Sequence, residues 1–237
     1  MSKAEQAVHL IRDFVRTSLG GIFDPSIAQQ WESARAAYNW TADLQKFKDA
    51  NKYPGFFDRT IAANSIEQFE NGFRAELTPG GRLERAAEVV YWKNFGNYKA
   101  RDRIARDLFL WINTPQRWLQ FVDAIKILAT TTSWDSFRNL IASCGHTSGF
   151  ATPLTFLAFY NPEMFPMIDR KIGSWWARRF PGNIQFTWNT AKTVISQTRQ
   201  SFAAYLEWSE LCRSSLGAVH THRGALARAG CRDGRVD

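Results

Sequence analysis

The sequence predicts an all-α protein, a helical bundle of roughly nine to eleven helices, and three observations carry that prediction. Apolar residues recur at i, i+3 and i+4 spacing through most of the chain. No run alternates apolar and polar residues long enough to compete as a strand. The breaks between periodic segments carry the Gly, Pro and Asn residues that stop helices. A hydrophobic content of 45%, with 14% aromatic residues, over 237 residues is enough to fill a core, so disorder is excluded as the main state.

The elements follow in order. Val8, Ile11, Phe14, Val15 and Leu19 mark one helix face, and Gly20-Gly21 stops it. Ile27 to about Ala50 continues the pattern through Trp31, Ala34, Tyr38 and Leu44 until Tyr53-Pro54-Gly55 breaks it. A helix over Thr60 to Phe73 precedes a turn at Thr78-Pro79-Gly80-Gly81. Arg82 to about Ala100 is helical with a break at Asn94-Phe95-Gly96-Asn97. Ile104, Leu108, Trp111 and Ile112 line the next face, and Pro115 suits the first turn of a helix through Trp118, Phe121, Val122, Ile125 and Leu128. After the polar link Thr130 to Ser133, Ser133 can cap a helix with Trp134, Phe137, Leu140 and Ile141 on its apolar side. Gly145 to Gly149 is a tight connection to a helix over Ala151 to Phe159, which Asn161-Pro162 ends. Asp169 opens a helix to about Arg179 that Pro181-Gly182 closes, and a final helix runs from about Asn189 to Leu211. In the pair Trp175-Trp176 one ring is expected in the core and the other at the surface. Residues 214–237 turn to Arg, Gly, Ala and Ser without apolar periodicity and read as a disordered basic tail; residues 1–213 read as one all-α domain, open to division into two helical lobes.

Composition narrows the function classes. The greasiest window, Gly149 to Tyr160, falls short of the roughly 18 apolar residues a membrane span needs, and MSKAEQAVHLIRDFVRTSL is helical and acid-containing, unlike a secretory signal; the expectation is a cytoplasmic protein with no membrane partner. Cys144, Cys212 and Cys231 are three, widely spaced and without Cys-x-x-Cys spacing, so neither a disulfide framework nor a metal site is expected. Net charge is +8, and an anionic partner is consistent with it, although five arginines against two aspartates after residue 212 place part of that charge in the tail.

The segment from Cys144 to Trp176 concentrates the chemistry. Two short helices flank Gly145-His146-Thr147-Ser148-Gly149, and the amides at the start of the second helix, with its dipole, suit a phosphate. Twenty residues after Gly149 an apolar approach ends in Phe165-Pro166-Met167-Ile168-Asp169. A carboxylate there can cap the helix that starts at Arg170, or stand at the edge of a pocket and do chemistry. Upstream, the stretch Tyr91 to Arg103 mixes rings with Lys93, Lys99 and Arg101, a composition shared by nucleic-acid-binding surfaces and by ordinary amphipathic helices.

In this order of parts, about 45 residues from Trp134 to Arg179 resemble the helix-hairpin-helix DNA glycosylase superfamily, enzymes that excise damaged or mispaired bases from double-stranded DNA. The resemblance implies that Gly145, His146, Thr147, Ser148 and Gly149 form the hairpin that holds a DNA phosphate, with a monovalent cation there and no other cofactor, and that Asp169 is the catalytic acid. The sequence departs from the family at three points. Its hairpin reads Gly-His-Thr-Ser-Gly in place of Gly-Val-Gly or Gly-Ile-Gly, the position of the nucleophilic lysine of bifunctional members is occupied by Phe150 or Ala151, and the four-cysteine cluster of some members is missing. The expected activity is therefore that of a monofunctional N-glycosylase. A non-catalytic helix-hairpin-helix DNA-binding protein and a helical protein-interaction domain are the alternatives.

Overall fold

The computed structural model describes residues 66–94, 100–145 and 149–213. They form α1 (Ile66–Ala75), α2 (Glu84–Lys93), α3 (Arg101–Ile112), α4 (Pro115–Thr131), α5 (Trp134–Ser143), α6 (Ala151–Tyr160), α7 (Arg170–Arg179) and a last helix, α8, over residues 199–213. Among the described residues there is no strand; Trp188 and Ile195 make an isolated antiparallel bridge. The all-α expectation holds for this part of the chain. The helices expected before residue 60, the first residues of the Thr60 to Phe73 helix, and the tail 214–237 lie outside the described residues. Contacts divide the chain into one unit of Asn39–Glu207 and another of Met1–Tyr38 with Trp208–Asp237. All of the packing below belongs to the first.

Local chemistry sets the helix ends. Thr114 caps α4 by accepting the Arg117 amide at 3.2 Å, with Pro115 in the first turn where no amide is missed. Thr132 ends that helix in the left-handed region, at φ 42. Ser133 then caps α5 through the Ser136 amide at 3.1 Å, as its position predicts. Helix α2 stops at Lys93, where Asn94 turns its side chain back to the Val90 carbonyl at 2.9 Å.

Helix α6 is the centre of the unit. It is apolar on every side, and Pro153 to Phe159 are all buried because α1, α2, α4 and α5 surround it. Phe156 stacks on Phe73 of α1 and meets Phe121 of α4 edge-on, with centroids 5.8 and 4.9 Å apart. Phe159 receives Trp92 of α2 at 5.3 Å, and Arg74 of α1 donates to the Phe159 carbonyl at 2.8 Å, satisfying a group at the helix end. Truncating one such phenylalanine costs about 3–5 kcal/mol. On the far side of α5, Phe137 stacks on Phe202 of α8 at 4.8 Å. Among the described residues no helix is long and apolar enough to cross a membrane.

One boundary differs from expectation. The final helix begins ten residues later than Asn189, at 199. Asn189 explains this: its side-chain oxygen accepts the amides of Thr193 and Val194 at 2.8 and 3.0 Å, folding 189–194 into a tight loop with Lys192 at φ 53. Thr198, by accepting the Ser201 amide at 3.1 Å, provides the cap where the helix does start.

Candidate functional site

Asp169 sits at the head of α7 with extended backbone, φ −147 and ψ −178, and its Oδ1 accepts the Ile172 amide at 2.8 Å. That is an N-cap, and it fixes the carboxylate by one oxygen. Oδ2 accepts no hydrogen bond from the described residues. Asp169 is half-buried, so this second oxygen belongs to a carboxylate that is neither sealed in the core nor fully solvated.

The approach to Asp169 is built from several elements. Phe165 and Ile168 are buried, which anchors the segment between α6 and α7. Tyr205 of α8 donates its hydroxyl to the Pro166 carbonyl at 3.1 Å. Lys93, the last residue of α2, donates from Nζ to the Ile168 carbonyl at 3.1 Å, with Met167 Sδ at 4.0 Å. Burial pushes the Lys93 ammonium below its ordinary value, and the negative charge of Asp169 offsets part of that fall. The structure thus brings two of the residues singled out in the sequence to one place, although they were assigned separate roles there.

Helix α7 is held from behind. Trp176 is buried and donates from its indole nitrogen to the Ile184 carbonyl at 2.9 Å, while Trp175 is 40% exposed, so the pair divides between core and surface as expected. Gly173, one turn on from Asp169, leaves room for the 188–195 loop: a Cβ there would meet Ile195 Cδ1 at 3.0 Å and Trp188 Cη2 at 3.2 Å. The neighbouring Val194 lies 3.6 Å from a Cβ placed on Gly149. This loop therefore touches both the start of α6 and the acid's helix.

At the hairpin, His146, Thr147 and Ser148 lie outside the described residues, as does Lys99. Gly145 follows α5 at φ +66, and a Cβ on it would fall 2.7 Å from Trp111 Cγ. The Trp111 ring is covered by the Arg117 guanidinium, 4.1 Å from its centroid. Fold geometry thus requires Gly145 to be glycine, whatever it binds. Gly149 is exposed, with no such conflict.

Arg101 is 6% exposed, its guanidinium 5.2 Å above the Tyr91 ring and its Nε 3.6 Å from Asp102 Oδ1. It joins α2 to α3 and does not present its charge to solvent. Among the described residues no three His, Cys, Asp or Glu side chains gather into a group that could hold a metal ion. The carbonyls that would hold a monovalent cation belong to the hairpin, whose middle is outside the described residues.

The juxtaposition of Lys93 with Asp169 had no local signal. The bond from Lys93 reaches across 75 positions of sequence, and in its own neighbourhood Lys93 looks like any solvated cation of an amphipathic helix. Tyr205 was likewise indistinguishable from other apolar-face residues. No family model, no curated relative and no solved structure matches this chain.

Proposed function

We propose that this chain is a monofunctional DNA N-glycosylase that releases a base from double-stranded DNA, with Asp169 as the catalytic carboxylate. The observation that carries the reading is the state of that carboxylate: one oxygen is fixed by the Ile172 amide, the other accepts no hydrogen bond among the described residues, and the segment before it is tied to α2 and α8. A preorganised negative group of this kind is what glycosidic cleavage needs. As the C1′–N bond breaks, the base leaves with the bonding electron pair and the sugar acquires oxocarbenium character. A fixed carboxylate stabilises that charge and orients the water that adds to C1′; the proton the water loses balances the one the departed base takes up, leaving an abasic site and the free base. The target base must first leave the stack.

The amides of the Gly145 to Gly149 segment, at the start of α6, are the proposed hold on a DNA phosphate, with a monovalent cation there as the superfamily resemblance implies; no chemical step runs through it. Lys99 is the basic contact kept from the aromatic segment, since Arg101 is engaged with Tyr91 and Lys93 with Ile168. A net charge of +8 favours a polyanion, and a cytoplasmic location accords with this reading.

The cap bond at 2.8 Å favours one competing reading, in which Asp169 only starts α7 and the chain binds DNA without chemistry. A gel assay separates the two. The purified chain is incubated with duplexes carrying oxidised, alkylated, deaminated or mismatched bases, then treated with alkali, with Asp169→Asn as control. Alkali-dependent breaks that vanish in the variant are expected. Salt-sensitive binding without base release on any duplex would leave the non-catalytic reading.

A further inference from the structure

We propose that Lys93 is the positioning residue of Asp169: by pinning the Ile168 carbonyl and setting its ammonium beside the carboxylate, it makes α2 part of the acid's support. The inference rests on Asp169 being the reacting group. The hydrogen bond falls on the carbonyl of the peptide that carries the Asp169 amide, at 3.1 Å, so it acts on the plane from which the acid's own backbone extends. Neutral bonds hold the same segment further back, from the Phe165 amide to the Asn161 carbonyl at 3.0 Å and from Tyr205 to the Pro166 carbonyl at 3.1 Å. The bond from Lys93 brings a charge.

The place from which Lys93 reaches is rigid. Trp92, its neighbour, packs edge-on against Phe159 at 5.3 Å and Phe69 at 6.4 Å, and Asn94 closes the helix on the other side. The amine is therefore delivered from a fixed helix end rather than from a free loop. Its surroundings disfavour the charge: burial lowers the Lys93 pKa, and Asp169 is the group that works against that. An aliphatic side chain would fill the same space at lower desolvation cost. What only the ammonium adds is the bond to Ile168 and a positive charge beside Asp169. Removing the carboxylate would remove that support for the ammonium.

The test uses the full chain as wild type, Lys93→Met, Lys93→Arg and Asp169→Asn. Single-turnover base release at saturating protein, on the duplex that the gel panel identifies, is expected to slow by about tenfold to a hundredfold in Lys93→Met, the scale of a misplaced reacting group. Duplex affinity and cooperative unfolding are expected to persist, and Lys93→Arg to restore most of the rate. Release by Lys93→Met at the wild-type rate overturns the inference while leaving the glycosylase reading intact. A second measurement does not depend on activity: the Lys93 methylene signal of 13Cε-lysine-labelled chain is titrated in wild type and in Asp169→Asn. Lys93 is expected to lose its proton at lower pH in the variant, because the carboxylate that favours the ammonium is gone. An unmoved titration overturns the coupling outright. A moved titration together with no base release on any duplex supports the pair and sinks the glycosylase reading instead.

Discussion

Replacing Gly145 with alanine tests whether the turn after α5 is a requirement of the fold. Gly145 occupies φ +66, and placing an L-residue in that region costs about 1–2 kcal/mol. The added Cβ would also stand 2.7 Å from Cγ and 2.8 Å from Cδ2 of Trp111, closer than real Cβ contacts come. The ring has little freedom to give way, because the Arg117 guanidinium lies 4.1 Å from its centroid and Arg117 Nη1 donates to the Trp111 carbonyl at 3.2 Å. Overpacking of this kind adds about 1–3 kcal/mol. The expected loss is therefore about 2–5 kcal/mol, a fall in Tm on the order of 10 °C for a chain of this size. Denaturant unfolding followed by tryptophan fluorescence reads it directly. Gly149→Ala is the internal control: its added Cβ meets Val194 Cγ1 at an ordinary 3.6 Å, so stability should stay within about 0.5 kcal/mol of wild type. If Gly149 is where a phosphate approaches the backbone, the same alanine weakens duplex binding. A Gly145→Ala chain as stable as wild type would refute the reasoning, since the turn would then have a relaxed alternative that its geometry does not suggest.

Three further outcomes are expected. Asp169→Asn keeps an oxygen able to accept the Ile172 amide and should be nearly as stable as wild type, whereas Asp169→Ala should lose about 0.5–2 kcal/mol by denaturant unfolding; equal losses would mean that the cap contributes nothing. For Lys93 the folded pKa is lowered from 10.5, so between that lowered value and 10.5 the unfolded chain holds more protons and stability rises with pH. Below both values the burial cost is fully present and constant. The difference between wild-type and Lys93→Met unfolding curves should show this rise, and a flat difference would contradict it. Burial pushes the Cys144 thiol far up, so it should react with a mild thiol reagent at pH 8 only as fast as the chain opens; prompt modification in the folded state would exclude that burial.

The helical elements of the described residues are legible in the sequence because each carries its signal locally. Pro115 in a first turn and Ser133 as a cap are signals complete within four residues, and the structure uses both. Helix α6 reads as a run without a charged residue, as befits a helix surrounded by four others. The last helix begins ten residues later than the sequence predicts. The Asn189 side chain captures the backbone amides of Thr193 and Val194, and a bridge between Trp188 and Ile195 completes the loop. The cap from Asp169 to Ile172 is equally local, closing within three residues.

The candidate site was only half legible for the same reason. Asp169 stood out by its own surroundings: an apolar approach, a proline and a helix start. Arg101 and Lys93 were grouped as surface cations on composition, and the fold turns one onto Tyr91 and the other onto Ile168. Nothing in the stretch from Tyr91 to Arg103 distinguishes a lysine bound for solvent from one bound for a carbonyl 75 residues away.

By itself, then, the sequence determined the all-α class of the described residues, most of their helix ends and the acid at the head of α7, because periodicity and capping act within a few turns. Tertiary structure alone decided that Gly145 faces Trp111, that Arg101 is withdrawn from the surface, and that Lys93 reaches the Ile168 carbonyl next to Asp169. Those facts depend on which helices pack around α6, and long-range packing of that kind leaves no trace in local spacing.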